Sequence, residues 1–90
     1  MKMRVTVISP ESAVFDGEAD AVIATAFDGE IGILANHAPL MTVLGTGKLV
    51  IRAGGTSQTF HVQGGFLQVV QNSVRILAEH VSGEANANAA

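Results

Sequence analysis

An all-β fold, an antiparallel β-sandwich or flattened barrel of about ten short strands, is what this 90-residue sequence predicts. Three observations carry the expectation. Apolar residues recur with a period of two, turn-forming residues interrupt them at short and regular spacing, and no stretch carries a convincing helical period. A C-terminal helical domain is not expected.

Met3, Val5 and Val7 alternate with Lys2, Arg4 and Thr6, as in a half-buried strand. Pro10, which has no amide hydrogen to give a ladder, stops it. A short piece, Ala13-Val14-Phe15, is expected to end at the turn signal Asp16-Gly17. A Val- and Ile-rich strand follows from Asp20 to Thr25, and Asp28-Gly29 predicts a tight hairpin into Glu30–Leu34. Gly32 inside that strand predicts a close backbone approach. Ala35 to Pro39 is a loop in which Asn36 tolerates a left-handed backbone and Pro39 biases Ala38 towards extended geometry.

Leu40–Leu44 resumes the β pattern until Gly45-Thr46-Gly47. Along Lys48–Ala53, Leu49, Ile51 and Ala53 share one face and Lys48, Val50 and Arg52 the other. Gly54-Gly55, Gly64-Gly65 and Gln71-Asn72 then predict turns around the strands Ser57–Val62, Phe66–Val70 and Ser73–Glu79. The expected organisation is one sandwich domain over 1–81 and a disordered Ala/Asn-rich tail over 82–90.

Composition narrows the function. Only 14% of residues are charged against 48% hydrophobic, low for a small free monomer, so a subunit of a larger body is favoured. No Lys or Arg lies between Arg4 and Lys48, while Glu11, Asp16, Glu18, Asp20, Asp28 and Glu30 all do. Such an acidic half argues against nucleic acid and against a polybasic membrane anchor; ordinary solvated strand ends account for it equally simply. Without cysteine there is no disulfide framework, thiolate metal site or thiol nucleophile. No apolar run approaches the ~20 residues of a membrane span, and the first residues lack a signal-peptide pattern. A cytosolic or peripheral location is expected.

Catalytic chemistry is hard to assemble. His37, His61 and His80 share no ligand spacing; a cupin-like convergence on a metal is the enzyme alternative, set against solvated or structural histidines. The serines have no nucleophile-elbow glycines around them. Glu18/Asp20 and Asp28/Glu30 lie two apart, on one strand face each, as surface charges do. Gly45-Thr46-Gly47-Lys48 lacks the spacing and helix of a phosphate loop. No catalytic residue, metal or cofactor is expected.

Some segments break the half-buried rule. Phe66-Leu67-Gln68-Val69-Val70, Ile33-Leu34 and Leu40-Met41 are apolar on both faces. Either another molecule covers the second face, or corner strands serve both layers; the sequence leaves both open.

The stretch Gly29-Glu30-Ile31-Gly32-Ile33-Leu34-Ala35-Asn36-His37-Ala38-Pro39-Leu40-Met41-Thr42 resembles the G-E-[IL]-G-[IVL]-[LY]-P-G-H-A-P-L-[LM]-T signature of ATP synthase epsilon subunits. Four further stretches resemble the family in order. They are Val7-Ile8-Ser9-Pro10-Glu11 with Phe15-Asp16-Gly17-Glu18-Ala19, Gly47-Lys48-Leu49-Val50-Ile51, Gly64-Gly65-Phe66-Leu67-Gln68-Val69, and Val74-Arg75-Ile76-Leu77-Ala78-Glu79. Together they cover nearly everything from residue 5 to 80. Two departures stand out: Ala35-Asn36 replaces the usual Pro-Gly, and the family's C-terminal helical hairpin has no counterpart here.

The resemblance implies a non-catalytic rotor part, peripheral on the cytoplasmic face of a bacterial membrane, between the gamma subunit and the c-ring. It implies a gamma-binding side formed by His37, Ala38, Pro39, Leu40, Met41 and Thr42, with Phe66 and Leu67 added. It implies that Asp28, Gly29 and Glu30 face the polar loops of the c-ring, Glu30 pairing with a donor there. Neither helical-hairpin inhibition nor nucleotide binding is expected. An unrelated β-sandwich binding module is the competing interpretation.

Overall fold

The computed structural model describes residues 2–36 and 38–84. Eight strands follow one another: β1 (Met3–Ile8), β2 (Ala13–Ala19), β3 (Ala21–Ala26), β4 (Gly29–Leu34), β5 (Leu40–Val43), β6 (Thr46–Ala53), β7 (Thr56–Val70) and β8 (Ser73–Glu84). They form one sheet in the order β2-β1-β8-β7-β6-β3-β4, with β5 added on β7. Its two ends do not pair, so the sheet folds over into a sandwich without closing as a barrel.

The fold-over is made by β7 and β8. Thr56–Gln63 of β7 pairs with β6, and Phe66–Val69 pairs with β5, while β8 runs alongside both halves in one unshifted register. One layer therefore holds β2, β1, the first half of β8, the second half of β7, and β5. The other holds the rest of β8 and β7 with β6, β3 and β4. The ten expected strands are present as ten segments of eight longer elements. At the bend, Gly64 and Gly65 have φ of 73° and 123°. A Cβ on Gly65 would strike the Leu77 carbonyl oxygen and lie 2.8 Å from Ala78 Cα, so only glycine lets the two strands crease together.

Several local expectations are corrected. Asp16-Gly17 is not a turn: β2 runs through it, held by pairing to β1, and the Arg4 guanidinium meets the Asp16 carboxylate at 2.8 Å. The corner after β2 falls at Asp20, whose backbone N–H donates to Arg52 O and whose carboxylate accepts from Gly54 N, each at 2.8 Å. Gly64-Gly65 bends a continuous strand instead of ending one. Gly32 approaches nothing: a Cβ there would have no neighbour within 4 Å. The pairing is antiparallel except that β1 lies parallel to β8, Arg4 opposite Ser73 through Ile8 opposite Leu77. Finally, Ser82–Glu84, expected in the tail, belong to β8 and pair with Thr59–His61. Residues 85–90 lie outside the described residues.

The inner faces of both layers supply the core. Val5, Val7, Leu67, Val69, Val74 and Ile76 come from one layer; Val22, Ile33, Leu49, Ile51, Phe60 and Val62 come from the other. Phe15 of β2 meets Phe60 of β7 edge-to-face across the layers, centroids 6.5 Å apart at 71°. Among the described residues no buried side chain is polar or charged. The alternation predicted for Lys48–Ala53 is present, with Leu49 and Ile51 buried.

Candidate functional site

With the interior apolar throughout, the side chains that can meet another molecule lie outside. Strand register arranges them. On the outer face of the β5-bearing layer, Val43 is opposite Phe66, Phe66 opposite Leu77, and Leu77 opposite Ile8. Phe66 is 51% exposed, and Val43 and Leu77 are also open to solvent. In the next row Met41, 65% exposed, stands opposite Gln68, which is opposite Arg75. Met41, Phe66, Gln68, Arg75 and Leu77 enclose a shallow slot of about 170 Å³.

This apolar face continues into the β3–β4 hairpin. Ala26 pairs with Gly29, so the two turn residues are Phe27 and Asp28, one position earlier than the sequence predicts. Phe27 N–H donates to Val43 O at 3.0 Å, and Gly45 N–H donates to Thr25 O at 2.9 Å, fastening the hairpin base to β5 and the start of β6. Phe27 is 68% exposed at the end of the Val43–Phe66–Leu77 row. Asp28, Gly29 and Glu30 stand exposed beside it.

The predicted contact residues thus divide. Ala38, Pro39 and Met41 are exposed. Leu40 and Thr42 are half-buried, Leu40 packing against the core. His37 lies outside the described residues. Phe66 faces outward, but Leu67 is fully buried. Leu67 is therefore withdrawn as a contact residue: neighbours on a strand point to opposite faces, and its face is the core. Phe27 and Arg75 were missed. The signal for Phe27 was a bulky apolar residue next to a turn signal, and for Arg75 a lone base inside the apolar run Val74–Leu77.

Two of the three histidines lie among the described residues. His61 and His80 are both exposed on the β7–β8 ladder. Among the described residues no three His, Cys, Asp or Glu side chains gather as metal ligands. Nor is any helix there long and apolar enough to cross a membrane.

A sealed apolar interior with a second apolar face left outside defines a β-sandwich interaction module. Residues 2–83 match the family model described as the ATP synthase delta/epsilon chain, beta-sandwich domain. The chain is 44% identical over 79 residues to an ATP synthase epsilon chain of Caulobacter vibrioides, covering 88% of this chain and 92% of that protein. It is 46% identical over 79 residues to that of Leptospira interrogans, covering 62% of the relative. The chain belongs to the ATP synthase delta/epsilon family. It spans most of the Caulobacter relative and under two thirds of the Leptospira one.

Solved structures agree on the fold. A chain in the mitochondrial ATP synthase of Euglena gracilis, determined as OSCP/F1/c-ring, aligns with TM-score 0.84 at 23% identity, covering 89% of this chain and 52% of that one. A chain in the central stalk/c-ring structure of the Tetrahymena thermophila enzyme aligns with TM-score 0.72 at 23% identity, covering 90% and 66%.

Proposed function

We propose that this chain is a non-catalytic part of the ATP synthase central stalk, binding the gamma subunit through its apolar face and the c-ring through the β3–β4 hairpin. In that role it helps couple ion-driven rotation of the ring to ATP synthesis, and it sits peripherally on the cytoplasmic face of the membrane as part of the complex. The observation that carries the proposal is the continuous apolar row Phe27–Val43–Phe66–Leu77 outside a core that is already complete. A face of that kind is an interaction surface. Ala38, Pro39, Met41 and Phe66 are the exposed members of the gamma-binding set, with Leu40 and Thr42 backing them. Asp28, Gly29 and Glu30 offer acceptors at the hairpin tip to donors on the polar loops of the ring.

Family membership favours this over an unrelated binding module. Co-purification tests it. The chain should form a stable complex with its own gamma subunit, and Met41→Asp, which sets a charge in the apolar face, should abolish that complex while thermal unfolding stays unchanged. Failure of the unmodified chain to bind gamma under any condition would sink the proposal.

A further inference from the structure

Arg75 is out of place on the apolar face. It sits on β8 between Gln68 of β7 and Thr6 of β1, one row from the Phe66–Leu77 pair, and its side chain helps wall the slot with Met41. It also borders a second, more polar depression of about 330 Å³ with Gln68, Val70, Gln71 and Ser73. Arg4, another base on this face, is held by Asp16. Among the described residues Arg75 takes part in no ion pair.

A guanidinium at the lip of an apolar slot constrains whatever seals that slot. Covering Met41, Phe66 and Leu77 strips water from Arg75, and a desolvated charge without a counter-charge opposes association. A guanidinium is also a planar fork of donors suited to a carboxylate. The complementary surface is therefore an apolar ridge with an Asp or Glu beside it, placed to reach Arg75 as the ridge enters the slot.

We propose that Arg75 is a specificity residue for the gamma subunit, pairing with a carboxylate that flanks the apolar ridge gamma inserts between Met41, Phe66 and Leu77. This rests on the apolar face being the gamma-binding side. The pair works by selection as much as by attraction: a neutral or basic ridge of the same shape leaves Arg75 buried and uncompensated, and is rejected.

The test measures dissociation constants between the full chain and its gamma subunit at low and high salt, for the unmodified chain and for Arg75→Gln, Arg75→Lys, Arg75→Glu and Met41→Asp. Thermal unfolding of each variant reports its folding, and sedimentation reports self-association. Arg75→Gln should weaken binding roughly 30-fold, as loss of one partner of a covered charge pair does, and should flatten the salt dependence. Arg75→Lys should recover part of the loss and Arg75→Glu should lose more than Arg75→Gln. Replacing the right acidic residue of gamma by Arg should restore binding to Arg75→Glu alone.

Unchanged affinity in folded Arg75→Gln and Arg75→Glu, with Met41→Asp defective, overturns the Arg75 pair and leaves the gamma-binding face standing. Unchanged affinity in all three overturns both. Arg75→Glu dissolving a dimer of this chain while gamma binding is untouched would assign the slot to a second copy and also overturn the pair.

Discussion

Asn36 and Asn72 clasp one another across the end of the sandwich. Asn36 N–H donates to Asn72 Oδ1, and Asn72 Nδ2 donates back to Asn36 Oδ1 at 3.2 Å. Both residues are left-handed, with φ of 68° and 63°. The loop from β4 towards Pro39 is thereby tied to the β7–β8 turn, whose Asn72 carbonyl also accepts from Arg4 N–H at 2.9 Å. The Asn36 side chain supplies an anchor that a glycine in its place would lack.

Removing that anchor without disturbing the turn isolates its contribution. Asn72→Gly keeps the left-handed backbone accessible but deletes both side-chain bonds. Stability should fall by about 1 kcal/mol in urea unfolding, and hydrogen exchange should speed up at the Asn36 amide before it does in β6 or β8. Equal acceleration across the whole sheet would show the clasp to be global instead.

The neighbours Phe66 and Leu67 should respond in opposite ways. Leu67→Ala removes a fully buried side chain and should cost about 3 kcal/mol of folding stability. Phe66→Ala should change stability by about 1 kcal/mol or less, yet weaken binding to gamma. Denaturant titration and affinity measurement on the same two variants separate the roles.

Two glycines make a matched pair for backbone strain. Gly65→Ala drives a Cβ into β8 at positive φ and should cost about 3 kcal/mol or more, with aggregation during expression. Gly32→Ala meets open space at ordinary φ and should raise stability by about 0.5 kcal/mol. Urea midpoints of both variants check this. Similar values for the two would contradict the crease described at Gly64-Gly65.

Glu30→Lys reverses a charge at the hairpin tip without touching the core. Unfolding free energy should shift by about 1 kcal/mol at most, as exposed charges do. ATP-driven ion pumping in vesicles holding the reassembled complex should fall. Normal pumping by the variant would remove Glu30 from the c-ring contact.

Much of the sandwich was legible because period-two burial and turn chemistry are local. Gly54-Gly55 and Gln71-Asn72 turn where expected, each with two residues at positive φ. The misreadings share one cause: pairing partners far away in sequence decide. Asp16-Gly17 has turn propensity but is overruled by six paired positions on β1. Gly64-Gly65 carries the same cue but lies within a ladder that β8 continues in the same register on either side of it. The parallel contact of β1 with β8 joins the two ends of the domain, and no short-range pattern encodes it.

The binding face was half legible for a related reason. An apolar pair such as Phe66-Leu67 announces that both sides of a strand are greasy, but only register tells which one meets the core. Arg75 became conspicuous only when the sheet set it beside Met41, four segments away along the chain.

The uninterrupted passage of β7 from one layer into the other has a mechanical consequence. A shear load entering at Phe66 runs along covalent backbone through the Gly64-Gly65 crease to Thr59, and β8 braces that path on both sides of the crease. The two halves of the shell therefore share covalent strands, and a twisting force has to deform backbone before one half can slide past the other.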